Sequence, residues 1–301
     1  MSWFVYVAVT LLSLVQGNPT VRSSQQQAPP AAGQSIGYVQ QQQSTLQYNK
    51  MESKPALTPA ETMPVEELDP SHYPARRAAH VAQHYLNTQH GSPFKLLGVD
   101  RVVSATLEKI AGVGMKYFVV FALKEMITNE PMGQCSTEVL YPIGEEQAPP
   151  QVQCSCDGLL QIDTKAHEEA LYQQLKASDS LVSGHNIPDS YGFIAPEMKP
   201  FWHLGGVASS FVMLKESNES TLYNMAQVVN VTQQESQDKE LTFQYHVLLH
   251  EMVSQEIIHW KLLVSWCPAE GVRVLQTEWQ PKCHHCVAPP SNTTLTLYSP
   301  S

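Results

Sequence analysis

Residues 243–252 read FQYHVLLHEM, which sets two histidines beside a glutamate and ends like the start of a zinc-protease helix. Such a helix needs a second histidine four residues after the first, so that both imidazoles leave one face. His250 would require histidine at 254, where the chain has Ser254. The period is also wrong for a helix. Phe243, Tyr245, Val247 and Leu249 alternate with Gln244, His246, Leu248 and His250, the period of a strand with one face buried. A second metal-like run, CHHC at 283–286, lacks a second ligand pair and is expected to be a disulfide site with surface histidines. Neither a nucleophile elbow, a phosphate loop nor a paired-acid arrangement is present. The chain is expected to be no enzyme and to hold no metal or cofactor.

The elements that must position these residues repeat. YPARRAAHVAQHYLN carries Pro74 at a first helical turn, and Ala78, Val81, Ala82, Tyr85 and Leu86 form a helical stripe. Gly91 and Pro93 stop it. Four strand-like runs follow: FKLLGVDRVV, KYFVVFALKEM, CSTEVLYP and QVQCSC. A shift of 126 residues lays Pro74 on Pro200, Val81 on Val207, Tyr117 on Phe243, Phe121 on Val247 and Glu125-Met126 on Glu251-Met252. Over this span the two copies align without a gap, so the chain contains an internal duplication. FQYHVLLHEM is the second copy of KYFVVFALKEM, a core strand running into a hairpin. One helix and four strands, twice, imply an α+β protein in which each long helix packs on a four-stranded antiparallel sheet. Between the copies, Asp163 or Thr164 can cap a helix whose Leu171, Tyr172 and Leu175 share a face. Within the second long helix, Gly205-Gly206 implies a close approach by another element or a local kink.

Composition bounds the partners. The chain has 301 residues, 43% hydrophobic, with a formal net charge of −10 and no basic cluster, which argues against nucleic acid. Residues 1–17 resemble a signal peptide, and no stretch is apolar for long enough to form a transmembrane helix. Residues 18–68 are rich in Gln, Pro and Ser and are expected to be disordered. Secretion agrees with sequons at Asn218, Asn230 and Asn292 and with six cysteines: Cys135, Cys154, Cys156, Cys267, Cys283 and Cys286. If CSTEVLYP and QVQCSC are hairpin partners, Cys135 lies opposite residue 157, within reach of Cys156 or of Cys154 on the same face. Cys135–Cys156 is the preferred pairing. Cys283 and Cys286 meet Cys267 only if the C-terminal tail doubles back.

YPARRAAHVAQHYLN, TEVLYP, NIPDSYG-x-x-x-PEM and LLHEMVSQEII resemble segments of the latexin family, whose members carry two cystatin-like domains in one chain. The resemblance covers about residues 70–282. It implies domain 1 at 69–158, a linker with a helix at 159–195, domain 2 at 196–282 and a tail at 283–301. The export signal and extra cysteines look more like the secreted branches, the retinoic acid receptor responder proteins and the eggshell-matrix ovocalyxins. True cystatins block cysteine proteases with a Gln-x-Val-x-Gly hairpin. The nearest match, QVVNV at 227–231, has Asn230 in place of the glycine that lets the backbone turn tightly, so that activity is not expected. In latexin-type inhibitors, a hairpin of the second domain enters the active-site funnel of A-type zinc metallocarboxypeptidases. Ser254, Gln255, Glu256 and Ile257 match that loop residue by residue, and Gln255 carries an amide that both donates and accepts. The chain departs from the family pattern at His259, where the pattern has proline. The alternative expectation is a structural protein of the extracellular or eggshell matrix, with a cross-linkable glutamine-rich tail and no protease target.

Overall fold

A computed structural model describes residues 64–144, 148–157, 162–235 and 239–281. The expected signal peptide, nearly all of the Gln-rich segment, Cys283, Cys286 and Asn292 lie outside the described residues.

The chain forms two antiparallel sheets with two long helices. The first half comprises β1 (Glu66–Leu68), helix α1 (Tyr73–His90), β2 (Leu97–Ile110), β3 (Gly114–Glu125), β4 (Pro131–Pro142) and β5 (Gln151–Cys156). A connecting helix, α2 (Lys165–Ala177), leads to β6 (Ser183–Ile187), helix α3 (Lys199–Glu216), β7 (Tyr223–Gln234), β8 (Leu241–Glu251), β9 (Glu256–Cys267) and β10 (Gly271–Gln280). Strands run in the order β1-β2-β3-β4-β5 in one sheet and β10-β9-β8-β7-β6 in the other.

Each sheet therefore has five strands where four were expected. The added strands are short and lie at the edges. β1 pairs Glu66, Glu67 and Leu68 with Leu107, Thr106 and Ala105 of β2, so these three residues are ordered although they fall in the segment expected to be disordered. Leu68 also packs against the first core, which gives this otherwise polar stretch an apolar anchor. β6 pairs with β7 and places part of the expected 159–195 linker in the second sheet. Its sequence, SGHNI, has a single buried residue, Ile187, and hence no period that a sequence reading could detect.

The duplication persists at the level of backbone irregularities. α1 and α3 are displaced by 126 residues at both ends. β2 carries bulges at Val99/Arg101 and Val102/Ser104, and β7 carries them at Met225/Gln227 and Val228/Asn230, the same offset. Bulges bend and twist a strand, so the two sheets curl alike around their helices.

Alternation decides what is buried. In β8, Phe243, Tyr245, Val247 and Leu249 are buried, and they meet Val264 and Leu262 of β9 and Leu204, Val207 and Ala208 of α3 in one core. Tyr117, Val119, Phe121 and Leu123 of β3 do the same beneath Ala78, Val81, Ala82 and Leu86 of α1. Tyr85, expected in that stripe, is only half-buried. α2 joins the second core through Leu171, Tyr172 and Leu175.

The helices connect the halves. Arg77 near the start of α1 donates to the Glu219 carbonyl just after α3, while His203 near the start of α3 contacts the Pro93 carbonyl just after α1. The two helices thus run in opposite directions against each other. Leu96 of the first half packs into the second core, and Leu214 of α3 packs into the first.

Candidate functional site

The hairpin between β8 and β9 is built around a glutamate. Glu251, the last residue of β8, is only 6% exposed. Its Oε1 accepts from the Leu222 amide at 2.8 Å and the Val253 amide at 3.1 Å, and its Oε2 accepts from the Ser254 amide at 2.6 Å. The Met252 amide donates to the Leu222 carbonyl at 2.8 Å. Burial pushes the Glu251 carboxyl up, but the hydrogen bonds from Ser254, Leu222 and Val253 outweigh it and hold the group below its ordinary value. One carboxylate thereby fixes the path of the whole turn and ties it to the segment after α3.

Sequence reasoning missed that anchor, although the signal was present. Glu125 aligns with Glu251 under the repeat and does the same work in the first half. Its two oxygens accept from the amides of Leu96, Ile127 and Thr128. Beyond each glutamate the chain turns through a non-glycine residue in the left-handed region, Asn129 at φ 61° and Gln255 at φ 61°. Asparagine occupies that region readily, whereas glutamine does so at a cost. The Gln255 amide nitrogen donates to the Met252 carbonyl at 2.5 Å, which closes the turn from the side-chain end.

Ser254, Gln255, Glu256 and Ile257 lie together and exposed on this tip, with Met252 and Val253 exposed beside them. The arrangement offers a narrow projection, pinned at its base by Glu251, with apolar flanks and one amide. Asn230 sits mid-strand in β7 and is exposed, so QVVNV makes no hairpin wedge. Asn218 lies in the turn after α3 and accepts from the Ser220 amide.

Cys135 and Cys156 are cross-strand partners in β4 and β5 and form a disulfide. Cys154 is a half-buried thiol whose sulfur lies 3.6 Å from that of Cys156, and burial pushes it above its ordinary value. Cys267 is a buried thiol at the end of β9. Among the described residues, these three clustered cysteines are the one group of three or more metal-ligand side chains, and two of them are joined as the disulfide. Also among the described residues, no helix is long and apolar enough to cross a membrane.

Two long helices, each laid on its own antiparallel sheet and related by the 126-residue duplication, define an α+β protein built from a repeated helix-on-sheet unit. A family model described as Latexin matches residues 68–284. The chain is 37% identical to human latexin over 216 residues, covering 72% of this chain and 97% of that protein. Chicken ovocalyxin-32 is 35% identical over 69% of this chain and 74% of its own length. Human retinoic acid receptor responder protein 1 is 31% identical over 66% of this chain and 70% of its own. The chain belongs to the latexin family, and that membership places it among proteins that are not enzymes. Among solved structures, mouse fetuin-B is similar over 72% of this chain and 70% of its own, with 12% identity and a TM-score of 0.24.

Proposed function

We propose that this chain is a secreted inhibitor of A-type zinc metallocarboxypeptidases, and that the β8–β9 hairpin of its second domain blocks the active-site funnel. The observation that carries the reading is the tip itself. Ser254, Gln255, Glu256 and Ile257 match the inhibitory loop of the family, and they stand exposed on a turn pinned by Glu251. A carboxypeptidase binds a free C-terminal carboxylate, so an inhibitor must fill the funnel without offering one. A hairpin does so because both its ends run back into a sheet. A preformed turn also loses little ordering entropy on binding.

Titration of purified chain against A- and B-type carboxypeptidases tests the reading. A central tip residue carries much of such an interface, so Gln255→Ala is expected to raise the inhibition constant for an A-type enzyme by roughly thirtyfold, about 2 kcal/mol. Asn129→Ala, at the equivalent position of the first hairpin, is expected to leave inhibition unchanged. The N-terminus of secreted material should lie beyond residue 17. If wild-type chain fails to inhibit any A-type enzyme at micromolar concentration, the hairpin is not an inhibitory site and the matrix-protein reading takes its place.

A further inference from the structure

The outer face of the second sheet, opposite α3, carries a pair of histidines that the hairpin does not use. His246 of β8 and His259 of β9 are diagonal neighbours, since His246 faces Lys261 and His259 faces Leu248. His246 Nε2 lies 3.1 Å from His259 Nδ1, and the ring centroids are 5.3 Å apart. Both side chains are half-buried.

We propose that His246 and His259 form a two-histidine site for a divalent transition metal, Cu²⁺ in preference to Zn²⁺. Metal–imidazole bonds of about 2.0–2.1 Å put two adjacent ligand nitrogens about 2.9 Å apart in a square-planar ion and about 3.3 Å apart in a tetrahedral one. The observed separation lies between these values, so the two nitrogens are already spaced for either once the rings turn towards a shared ion. Both ligands stand on paired strands of one sheet, so the two imidazoles are held side by side before any ion arrives. The half-open face leaves the remaining coordination positions to water.

The hydrogen shared between the two rings must move before an ion can take its place. In the metal-free pair one ring nitrogen donates its hydrogen to the other. On metal binding that ring carries its hydrogen on its other nitrogen, and both facing lone pairs bind the ion. Nitrogen ligands rank Cu²⁺ above Zn²⁺, which sets the expected preference.

The test uses the full chain without a polyhistidine tag, titrated calorimetrically with Cu²⁺ and with Zn²⁺ at pH 7.5. The His284-His285 run can bind ions of its own, so the readout is the difference between wild type and variants. His246→Gln/His259→Gln is expected to bind one fewer equivalent of Cu²⁺ with an unchanged melting temperature in the absence of metal. Each single substitution should weaken that equivalent by about tenfold or more, as loss of one of two protein ligands requires. His185→Gln, on the same sheet but outside the pair, should leave it unaltered. Electron paramagnetic resonance of the wild-type Cu²⁺ complex should show coupling to imidazole nitrogen that the double variant loses. Equal stoichiometry in wild type and double variant, or no binding by either, would overturn the site.

Discussion

Glu251 accepts three backbone amides with a single carboxylate, and Glu125 repeats the arrangement 126 residues earlier. A glutamine there keeps the shape but replaces one oxygen by a donor that must face other donors. Hydrogen bonds to a charged acceptor contribute about 1.5–3 kcal/mol, so Glu251→Gln is expected to lower unfolding free energy by roughly 2–3 kcal/mol at pH 7 in urea melts. The amides of Val253 and Ser254 should then exchange faster with deuterium. Glu251 titrates lower in the folded than in the unfolded chain. Its contribution is therefore complete above the unfolded value and disappears as pH falls through the folded one, a loss that the glutamine variant lacks. Inhibition should weaken in Glu251→Gln as well, because the tip loses the geometry that Gln255 depends on. An unchanged urea midpoint would mean that the amides, not the carboxylate, set the turn.

At the scale of the element, α3 crosses its sheet closely at one glycine and loosely at the next. A Cβ on Gly205 would stand 3.0 Å from Val228 Cγ2 and 3.2 Å from Tyr245 Cε1. Both neighbours are fully buried, and Tyr245 is held by its hydroxyl's hydrogen bond to the Phe201 carbonyl, so neither can move away cheaply. A Cβ on Gly206 would meet Leu96 at 3.4 Å, an ordinary contact. Alanine in a helix interior gains up to about 1 kcal/mol over glycine. Gly206→Ala is thus expected to raise the melting temperature. Gly205→Ala should lower it, because the steric cost exceeds the gain in propensity. Equal melting temperatures for the two variants would show that the approach at Gly205 is looser than the distances imply. The sequence pair GG left a close approach and a local kink both open, and only packing against β7 and β8 distinguishes its two members.

Across the whole molecule, the halves meet through α1 and α3, and α1 carries an awkward group into the interior. His84 is 2% exposed, and its ring nitrogens make no well-formed hydrogen bond, with only a weak interaction with the Tyr223 backbone to offset burial. Burial, assisted by His80, pushes His84 down to about 3, and burial pushes His80 down to about 4. His90, His203 and His246 are also held below their ordinary value, chiefly by burial. The unfolded chain takes up protons on His80 and His84 near pH 6.5 and the folded chain does not until much lower pH. Stability is therefore complete above that pH and falls as the solution is acidified towards the folded values, by up to about 1.4 kcal/mol per pH unit for each of these two histidines. Urea midpoints from pH 7.5 to 5 are expected to decline accordingly. His84→Leu should flatten the decline and raise stability at pH 7, since an unsatisfied polar group leaves the interior. A slope equal to wild type would place the titrating groups elsewhere.

The duplication, the two long helices, the inner strands and the polarity of each strand face were legible in the residues, because period and offset are local properties that a linear chain displays. The cross-strand meeting of Cys135 with the 154–156 segment could be approached in the same way, since a hairpin register needs only a turn centre and a count. Strands β1 and β6 could not, because three to five residues at a sheet edge are held by the backbone groups of a neighbour and show no hydrophobic period of their own. The tip residues at 254–257 could be named from the family loop. Their rigidity rests on Glu251 reaching the Leu222 amide, a contact between segments far apart in sequence. The pairing of His246 with His259 depends likewise on strand register, and the burial of His84 on how α1 meets the second half. Sequence fixes which faces are apolar; only the folded chain decides which polar groups those faces bring together, since hydrogen bonds and ring contacts require distances of a few ångströms.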